Sequence, residues 1–299
     1  MSANNMPEAE VDVTVELVQA LLADQHPDLA ALSIVEFANG WDNVIFRLGN
    51  ELSVRLPRRS AAAELVDHEQ AVLPGLAQRL PLAVPAPVRV GHPGLGYPWA
   101  WSVNPWLDGE IVAEADLADP AAEARRLGEF LGALHVAAPD DAPANPYRGH
   151  FIGDNDAVFL ERVEQLRGVD VHGTPVDLSA IRRCWSALID VAPWSGDPVW
   201  IHGDLHAANM LACNGQISAV IDWGDVCAGD PATDLSIAWS LFSPEDQDVL
   251  RAAWRDVDDS TWQRAQAWSM HFMVMYLTHS ADNPTIGTLG ERLYRRLIE

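Results

Sequence analysis

His202-Gly203-Asp204-Leu205-His206-Ala207-Ala208-Asn209 is followed, thirteen residues after Asn209, by Asp222 within Val220-Ile221-Asp222-Trp223-Gly224-Asp225. These two stretches decide how the chain is read. Asp204 and Asn209 stand five apart, the spacing of an H-x-D-x-x-x-x-N loop. Asp222 closes a short apolar run, residues 217–221, where a strand would deliver a carboxylate to a metal. Moving a phosphoryl group onto a hydroxyl requires a carboxylate that orients and deprotonates that hydroxyl. It also requires oxygen ligands for magnesium, because the phosphate oxygens must be neutralised while the bond breaks. Asp204 suits the first task, and Asn209 and Asp222 suit the second. Each piece alone is common, since an aspartate after a strand is usually a turn or helix cap. The conjunction is what carries meaning.

Gly229-Asp230-Pro231-Ala232-Thr233-Asp234-Leu235 follows. The sequence here resembles the aminoglycoside phosphotransferase family, small-molecule kinases with a protein-kinase-like fold. The residues that carry the resemblance are His202-Gly203-Asp204, Asn209, Ile221-Asp222-Trp223, Gly229-Asp230-Pro231 and Asp234-Leu235. It extends over nearly the whole chain in the order of elements, but only residues 200–235 are specific. It implies an α+β, two-lobed fold: a small antiparallel-sheet lobe over residues 1–105 that binds nucleotide, and a larger, mainly helical lobe over residues 106–299 that carries catalysis and the acceptor. It also implies Mg²⁺ and ATP or GTP as phosphoryl donor. His202 resembles the histidine that braces the catalytic loop, and Asp234 the buried aspartate that supports the loops from behind. His206 is given no role. Asp225 reads either as an acid behind the site or as a cap.

The pattern of elements agrees with that order. Residues 11–23 have helical spacing. Residues 32–37, 43–48 and 51–56 read as strands, the last two joined by a hairpin turn at Gly49-Asn50. A helix over 61–80 and strands over 88–90 and 99–103 follow. Beyond Trp106 the signal turns helical, over 120–137, 159–166, 178–191, 234–242, 244–255, 260–279 and 286–298, interrupted by strand, loop and hairpin at 199–222.

A kinase holds the nucleotide phosphates with a strand cation oriented by a helix carboxylate. That cation is usually lysine, and this chain has no lysine: all 19 basic residues are arginines. Arg55 occupies the matching strand position, and Glu69, fourteen residues on, is its natural partner. Arg58 and Arg59 stand as alternatives. Arginine brings a planar fork able to hold two phosphate oxygens, but it is bulkier and spreads its charge. Residues 55–59, Arg-Leu-Pro-Arg-Arg, look like the macrolide-kinase branch of the family. The loop from Asn39 to Asn43 sits where a phosphate-covering loop would sit, which makes Asn43 a nucleotide-side candidate. The base is expected against backbone groups of the connector, around Ser102, Asn104 and Trp106. Pro105 has no N–H to offer.

Composition bounds the rest. The 299 residues can bury a substantial core. No apolar stretch approaches the roughly 20 residues of a membrane span, and the polar, acidic start lacks a secretory pattern. Three cysteines without metal-ligand spacing read as reduced thiols of a cytoplasmic protein. A zinc site is not expected, since there is no H-E-x-x-H, and there is no hydrolase-type G-x-S-x-G. The formal net charge is -24, which argues against a nucleic-acid partner. Residues 1–105 hold 12 carboxylates and 6 arginines; residues 106–299 hold 31 and 13.

A cationic small-molecule acceptor would be drawn to the second part, unless the acidity serves only solubility. Candidate acidic segments are Asp154-Asn155-Asp156, Glu161, Glu164, Glu245-Asp246 and residues 256–259. The resemblance suggests an aminoglycoside or macrolide antibiotic, hence antibiotic resistance. A macrolide would want the apolar wall that the tryptophans and residues 270–275 offer. The family also holds kinases of metabolic amino alcohols and sugars. A kinase-like binding protein without turnover would have lost Asp204, Asn209 or Asp222, and all three are present. Oligomeric state is left open.

Overall fold

The structure, a computed structural model, describes residues 7–254, 258–280 and 283–299. The chain forms two compact units. The first runs to Asp108 and takes in Val220–Gly224; the second comprises Gly109–Ala219 and Asp225–Glu299. The segment that carries Asp222 therefore belongs to the first unit, although it follows Asp204 in sequence.

The first unit begins with helix α1 (Val15–Gln25). It starts later than its apolar spacing predicts because the Thr14 hydroxyl caps it, accepting from Leu17 N at 3.3 Å. Strands β1 (Ile34–Asn39), β2 (Asn43–Leu48) and β3 (Leu52–Pro57) follow, then helix α2 (Ser60–Leu76) and strands β4 (Arg89–Gly91) and β5 (Trp101–Pro105). They build one five-stranded sheet in the order β1-β2-β3-β5-β4, with antiparallel neighbours. The β2–β3 loop is one residue longer than the expected turn: Leu48 pairs with Leu52, and Gly49 takes φ 59°, the left-handed region glycine enters at little cost. Val54, Leu56, Phe46, Leu48, Trp101 and Val103 are fully buried and pack against Leu21 and Leu22 of α1.

The second unit holds strand β6 (Glu110–Ile111), helices α3 (Pro120–Leu134) and α4 (Asp156–Gln165), the hairpin β7 (Asp170–Val171) and β8 (Thr174–Pro175), and helix α5 (Leu178–Ile189). Next come β9 (Val199–Ile201), β10 (Met210–Cys213), β11 (Gln216–Val220) and β12 (Cys227–Gly229), then α6 (Ala232–Leu235), α7 (Ile237–Leu241), α8 (Pro244–Ala253), α9 (Asp259–His279) and α10 (Pro284–Ile298). The helix expected over 234–242 is two short helices, with Ser236 between them. Its hydroxyl bonds back to Thr233 O at 2.6 Å, a local bond that competes with the helical pattern. Arg255 and Asp256, assigned from the sequence to a helix and to an acidic segment, lie outside the described residues.

Helix α9 is the axis of this unit. α4, α5, α6 and α10 pack on it, and Trp268, Met270 and Met273 are fully buried. The aromatic and methionine face is therefore largely core. The Arg264 guanidinium and Asp230, both nearly inaccessible, join at 2.6 Å and tie α9 to the turn before α6. No described helix is long and apolar enough to cross a membrane.

Candidate active site

On the first unit, β3 and α2 bring Arg55 and Glu69 together, as their spacing predicts. Arg55 Nη1 donates to Glu69 Oε1 at 2.5 Å and Nη2 donates to Asp222 Oδ1 at 2.9 Å. Asn43, with its amide turned so that oxygen faces the donors, accepts from Arg55 Nε at 3.1 Å and Nη2 at 2.9 Å. Burial on its own would lower the Arg55 pKa, but Glu69 and Asp222 overcome it and hold the guanidinium more firmly protonated than usual. Glu69 is 2% exposed; burial pushes its carboxyl up, against the pull of Arg55. Asp222 is different. Its side chain is 57% exposed, and its backbone sits at φ 62°, a left-handed conformation that aspartate tolerates better than most residues. Arg58 and Arg59 are engaged elsewhere: Arg58 donates to Gly40 O at 3.1 Å, and Arg59 to Asp42 Oδ1 at 2.5 Å. Both hold the 39–43 loop.

Connector residues make contacts within the first unit. Ser102 lies within the sheet, paired with Arg55 on one side and Val90 on the other, and its hydroxyl accepts from Gln70 Nε2 at 2.9 Å. The Trp106 backbone N–H donates to Glu51 O at 2.7 Å, so it is not a free donor for a base. The Trp106 indole donates to Asp108 at 2.9 Å beneath the Arg47 guanidinium. Asn104 is buried, and its Oδ1 is without a hydrogen-bond partner among the described residues.

On the second unit the loop after β9 presents Asp204. Gly203 makes the turn, with φ 87°; a Cβ there would meet the Asp225 carbonyl oxygen at 2.5 Å. The Asp234 carboxylate lies behind, accepting from His202 N at 2.7 Å and Gly203 N at 2.9 Å, and bonding His135 Nε2 at 3.1 Å. The His202 ring, fully buried, accepts from Asp204 N at 3.2 Å through Nδ1. Asp234→Ala should therefore lower stability by more than about 3 kcal/mol, because two buried N–H donors lose their acceptor. Chemical denaturation checks this; Asp234→Asn, which keeps one acceptor oxygen, should fall between.

The Asp204 carboxylate is surrounded. Arg148 Nη2 donates to Oδ1 at 3.3 Å, His206 Nε2 lies 3.5 Å from Oδ2, and Asn209 Nδ2 donates to the Asp204 carbonyl at 3.0 Å. Burial would raise its pKa, but His206, Arg148 and His202 outweigh that and hold it well below the usual carboxylate range. Asp225 behaves oppositely, pushed up by burial and then by the Asp204 charge, while Asn145 Nδ2 donates to it at 2.6 Å. The Tyr276 phenol, raised far above its ordinary value by burial and by Asp204, stays protonated beside His206. Arg148, Asn145 and Tyr276 escape sequence reading because each lies far from the motif. His206 lies within it, and only the fold shows that its ring faces the carboxylate.

On the second unit the Asn209 amide nitrogen is committed to Asp204, which leaves its oxygen able to ligate a cation. On the first unit the Asp222 side chain is partly exposed. Among the described residues no three His, Cys, Asp or Glu side chains gather into a metal group. A phosphate-bound magnesium normally takes only one or two protein ligands.

A five-stranded antiparallel sheet carrying a buried cation–carboxylate pair, with a helical unit presenting an ionised aspartate on a braced loop, defines the class of small-molecule phosphotransferases. The chain belongs to the phosphotransferase enzyme family, whose model matches residues 33–268. It is 25% identical over 233 residues, 71% of this chain and 70% of the relative, to the uncharacterized protein YcbJ of Bacillus subtilis (strain 168). Among solved structures, the GDP complex of aminoglycoside 2'-phosphotransferase-IIIa superposes with a TM-score of 0.69 at 20% identity, covering 93% of this chain and 97% of that one. Macrolide 2'-phosphotransferase MphH from Brachybacterium faecium gives 0.62 at 22% identity, covering 93% and 97%.

Proposed function

We propose that the protein transfers the γ-phosphoryl group of ATP or GTP to a hydroxyl of a small molecule, with magnesium. The observation that carries this reading is the Asp204 carboxylate, met by Arg148 and His206 and held on a loop braced by His202, Asn209 and Asp234. In that role Asp204 accepts the hydroxyl proton as the oxygen attacks. Arg55, oriented by Glu69, engages the nucleotide phosphates. Asn209 and Asp222 hold magnesium through oxygen; the ion neutralises phosphate charge when bound.

The nucleotide reading draws support from relatives whose structures contain GDP or ATP. Relatives in complex with kanamycin and gentamicin support an antibiotic acceptor, and with it a role in resistance. An aminoglycoside would bring several ammonium groups, and a macrolide fewer. The alternative is a metabolic alcohol or sugar. Several carboxylates of the acidic segments that would receive a polycation are engaged locally. Asp156 accepts from the Trp185 indole at 2.8 Å, Glu164 pairs with Arg167 and Arg182, and Asp246 and Asp258 take part in helix caps. This favours an acceptor other than a polycation.

Nucleotide turnover measured across aminoglycosides, macrolides, neutral sugars and hydroxy acids tests the proposal. Absence of acceptor-dependent ADP or GDP production across that panel would favour binding without turnover. A sharper test is Asp222→Ala, which leaves magnesium short of an oxygen while the phosphates stay charged. Calorimetric titration of Mg-nucleotide should show at least ~10-fold weaker binding; equal affinity would move the metal site elsewhere.

A further inference from the structure

Around Arg148 the second unit gathers buried hydrogen-bond donors that have no acceptor among the described residues. Arg148 Nε and Trp268 Nε1 are two, and Asn155 Nδ2 is a third. His271 supplies a fourth. Its Nε2 faces Arg162 Nη1 at 3.4 Å, a group that can only donate, so Nε2 accepts and Nδ1 carries the ring proton. That Nδ1 is also unpartnered. Burial, then Arg162, Arg148 and His150, lower the His271 pKa to about 3, so the ring stays neutral with that single proton.

These groups are neighbours. The Arg148 guanidinium lies 5.3 Å from the Phe272 ring centre. The Trp268 ring lies 5.6 Å from Phe272, 5.5 Å from His271 and 5.4 Å from His150. Asn155 ends the short turn Ile152–Asn155, which packs on the same helix, α9. Arg162 makes no close ion pair among the described residues, although the Glu161 charge acts on it. A folded interior ordinarily satisfies its donors; here several stand together unmatched, beside two guanidinium groups. Acceptor oxygens with negative charge are what such a cluster lacks.

We propose that the acceptor molecule carries an oxyanion, a carboxylate or a phosphate, received by Arg148, Arg162 and the Trp268 and His271 N–H groups. The inference rests on the phosphotransfer reading, because Arg148 also touches Asp204. It places the anchoring group of the acceptor next to the residue that takes the hydroxyl proton. Of the other groups facing the cluster, His150 is a fifth nitrogen without a partner among the described residues, and Phe272 and Tyr276 stack to form an apolar flank; Asp204 and Asp225 beside Arg148 and Glu161 beside Arg162 carry the opposing charge. The net charge of -24 repels an anion at long range, so recognition is local, and added salt should improve rather than weaken binding.

The test uses four hexoses that share hydroxyls and differ in charge: glucose, glucosamine, glucuronate and glucose 6-phosphate. Binding to the full-length protein is followed by ¹⁵N NMR of the tryptophan indoles, with Trp268 assigned through Trp268→Phe. Glucuronate or glucose 6-phosphate should bind at least ~10-fold more tightly than glucosamine and shift the Trp268 indole N–H, and which of the two is tighter distinguishes carboxylate from phosphate. Arg162→Met should erase the preference, Arg162→Lys should restore part of it, and Arg182→Met, an exposed arginine paired with Glu164, should leave it intact. Glucosamine bound as tightly as the anions, an unmoved Trp268 resonance, a preference that survives Arg162→Met, or no binding of any of the four would overturn the proposal and leave ordered water as the occupant of the cluster. Calorimetric binding of Mg-ATP and Mg-GTP, measured on the same samples, reports on the nucleotide side alone. No binding of either nucleotide with the anion preference intact would sink the kinase reading and not the anion site.

Discussion

Asp204→Asn should lower kcat with the best acceptor found by about 10²- to 10⁴-fold, the usual contribution of a positioned base. Mg-nucleotide affinity should stay within ~3-fold, because Asn209 and Asp222 are untouched. The amide keeps the size of the carboxylate and one acceptor oxygen for Arg148, so the loop should remain in place. What it loses is basicity. In the wild type, His206, Arg148 and His202 outweigh the effect of burial and keep the carboxylate ionised, below the point near pH 3.9 where an ordinary aspartate titrates. A fall in rate as pH drops through 5 to 4 should therefore arise from groups other than Asp204. Single-turnover kinetics separate binding from chemistry. A variant that keeps most of its rate would show that Asp204 is not the base.

Arg55→Ala should have the largest effect on the protein as a whole. Glu69, 2% exposed, would lose the guanidinium that lies 2.5 Å away, and breaking a buried pair on one side costs about 3–5 kcal/mol. Denaturant unfolding should show that loss, and apparent nucleotide KM should rise while kcat falls. Arg55→Lys should recover part of both: a single ammonium can reach the phosphates but cannot bridge Glu69 and Asp222 with separate nitrogens. The double variant Arg55→Ala with Glu69→Gln should be more stable than Arg55→Ala alone, since no unpaired charge remains buried, yet just as poor with nucleotide. That split distinguishes a phosphate contact from a purely structural pair. Unchanged KM in Arg55→Ala, with Arg58→Ala or Arg59→Ala impaired instead, would reassign the phosphate cation. Against that reassignment, both residues are engaged with the 39–43 loop.

The sheet of the first unit was legible because its signals are local. Alternation over β2 and β3, the glycine turn between them and the helical spacing after Ser60 each involve residues within a few positions of one another. Where the boundaries slipped, a single polar group moved them. Thr14 delays α1, and the Asn283 side chain starts α10 early by accepting from Ile286 N. The connector was harder to read. A sequence shows that Ser102 and Trp106 flank a boundary, but not that sheet pairing places Ser102 between two strands or that Glu51 takes the Trp106 N–H.

The spacing of Asp204 and Asn209 within one loop, and the offset of fourteen between Arg55 and Glu69, were readable from the sequence by itself. Those distances along the chain are short enough, or tied closely enough to one loop or one strand–helix step, to survive into the structure. The surroundings of Asp204 were decided only by tertiary structure. Arg148 lies 56 positions before Asp204, and Tyr276 comes from the middle of α9. Whether such groups meet depends on how helices pack, which no local pattern encodes. The same packing decides where the charges of the chain are placed. A chain of net -24 suggests a cationic acceptor, yet much of its candidate acidity caps helices and pairs with surface arginines. Arg148 meets Asp204 and Arg162 meets His271, because charge totals record how many groups a chain has and only the fold decides which of them face one another.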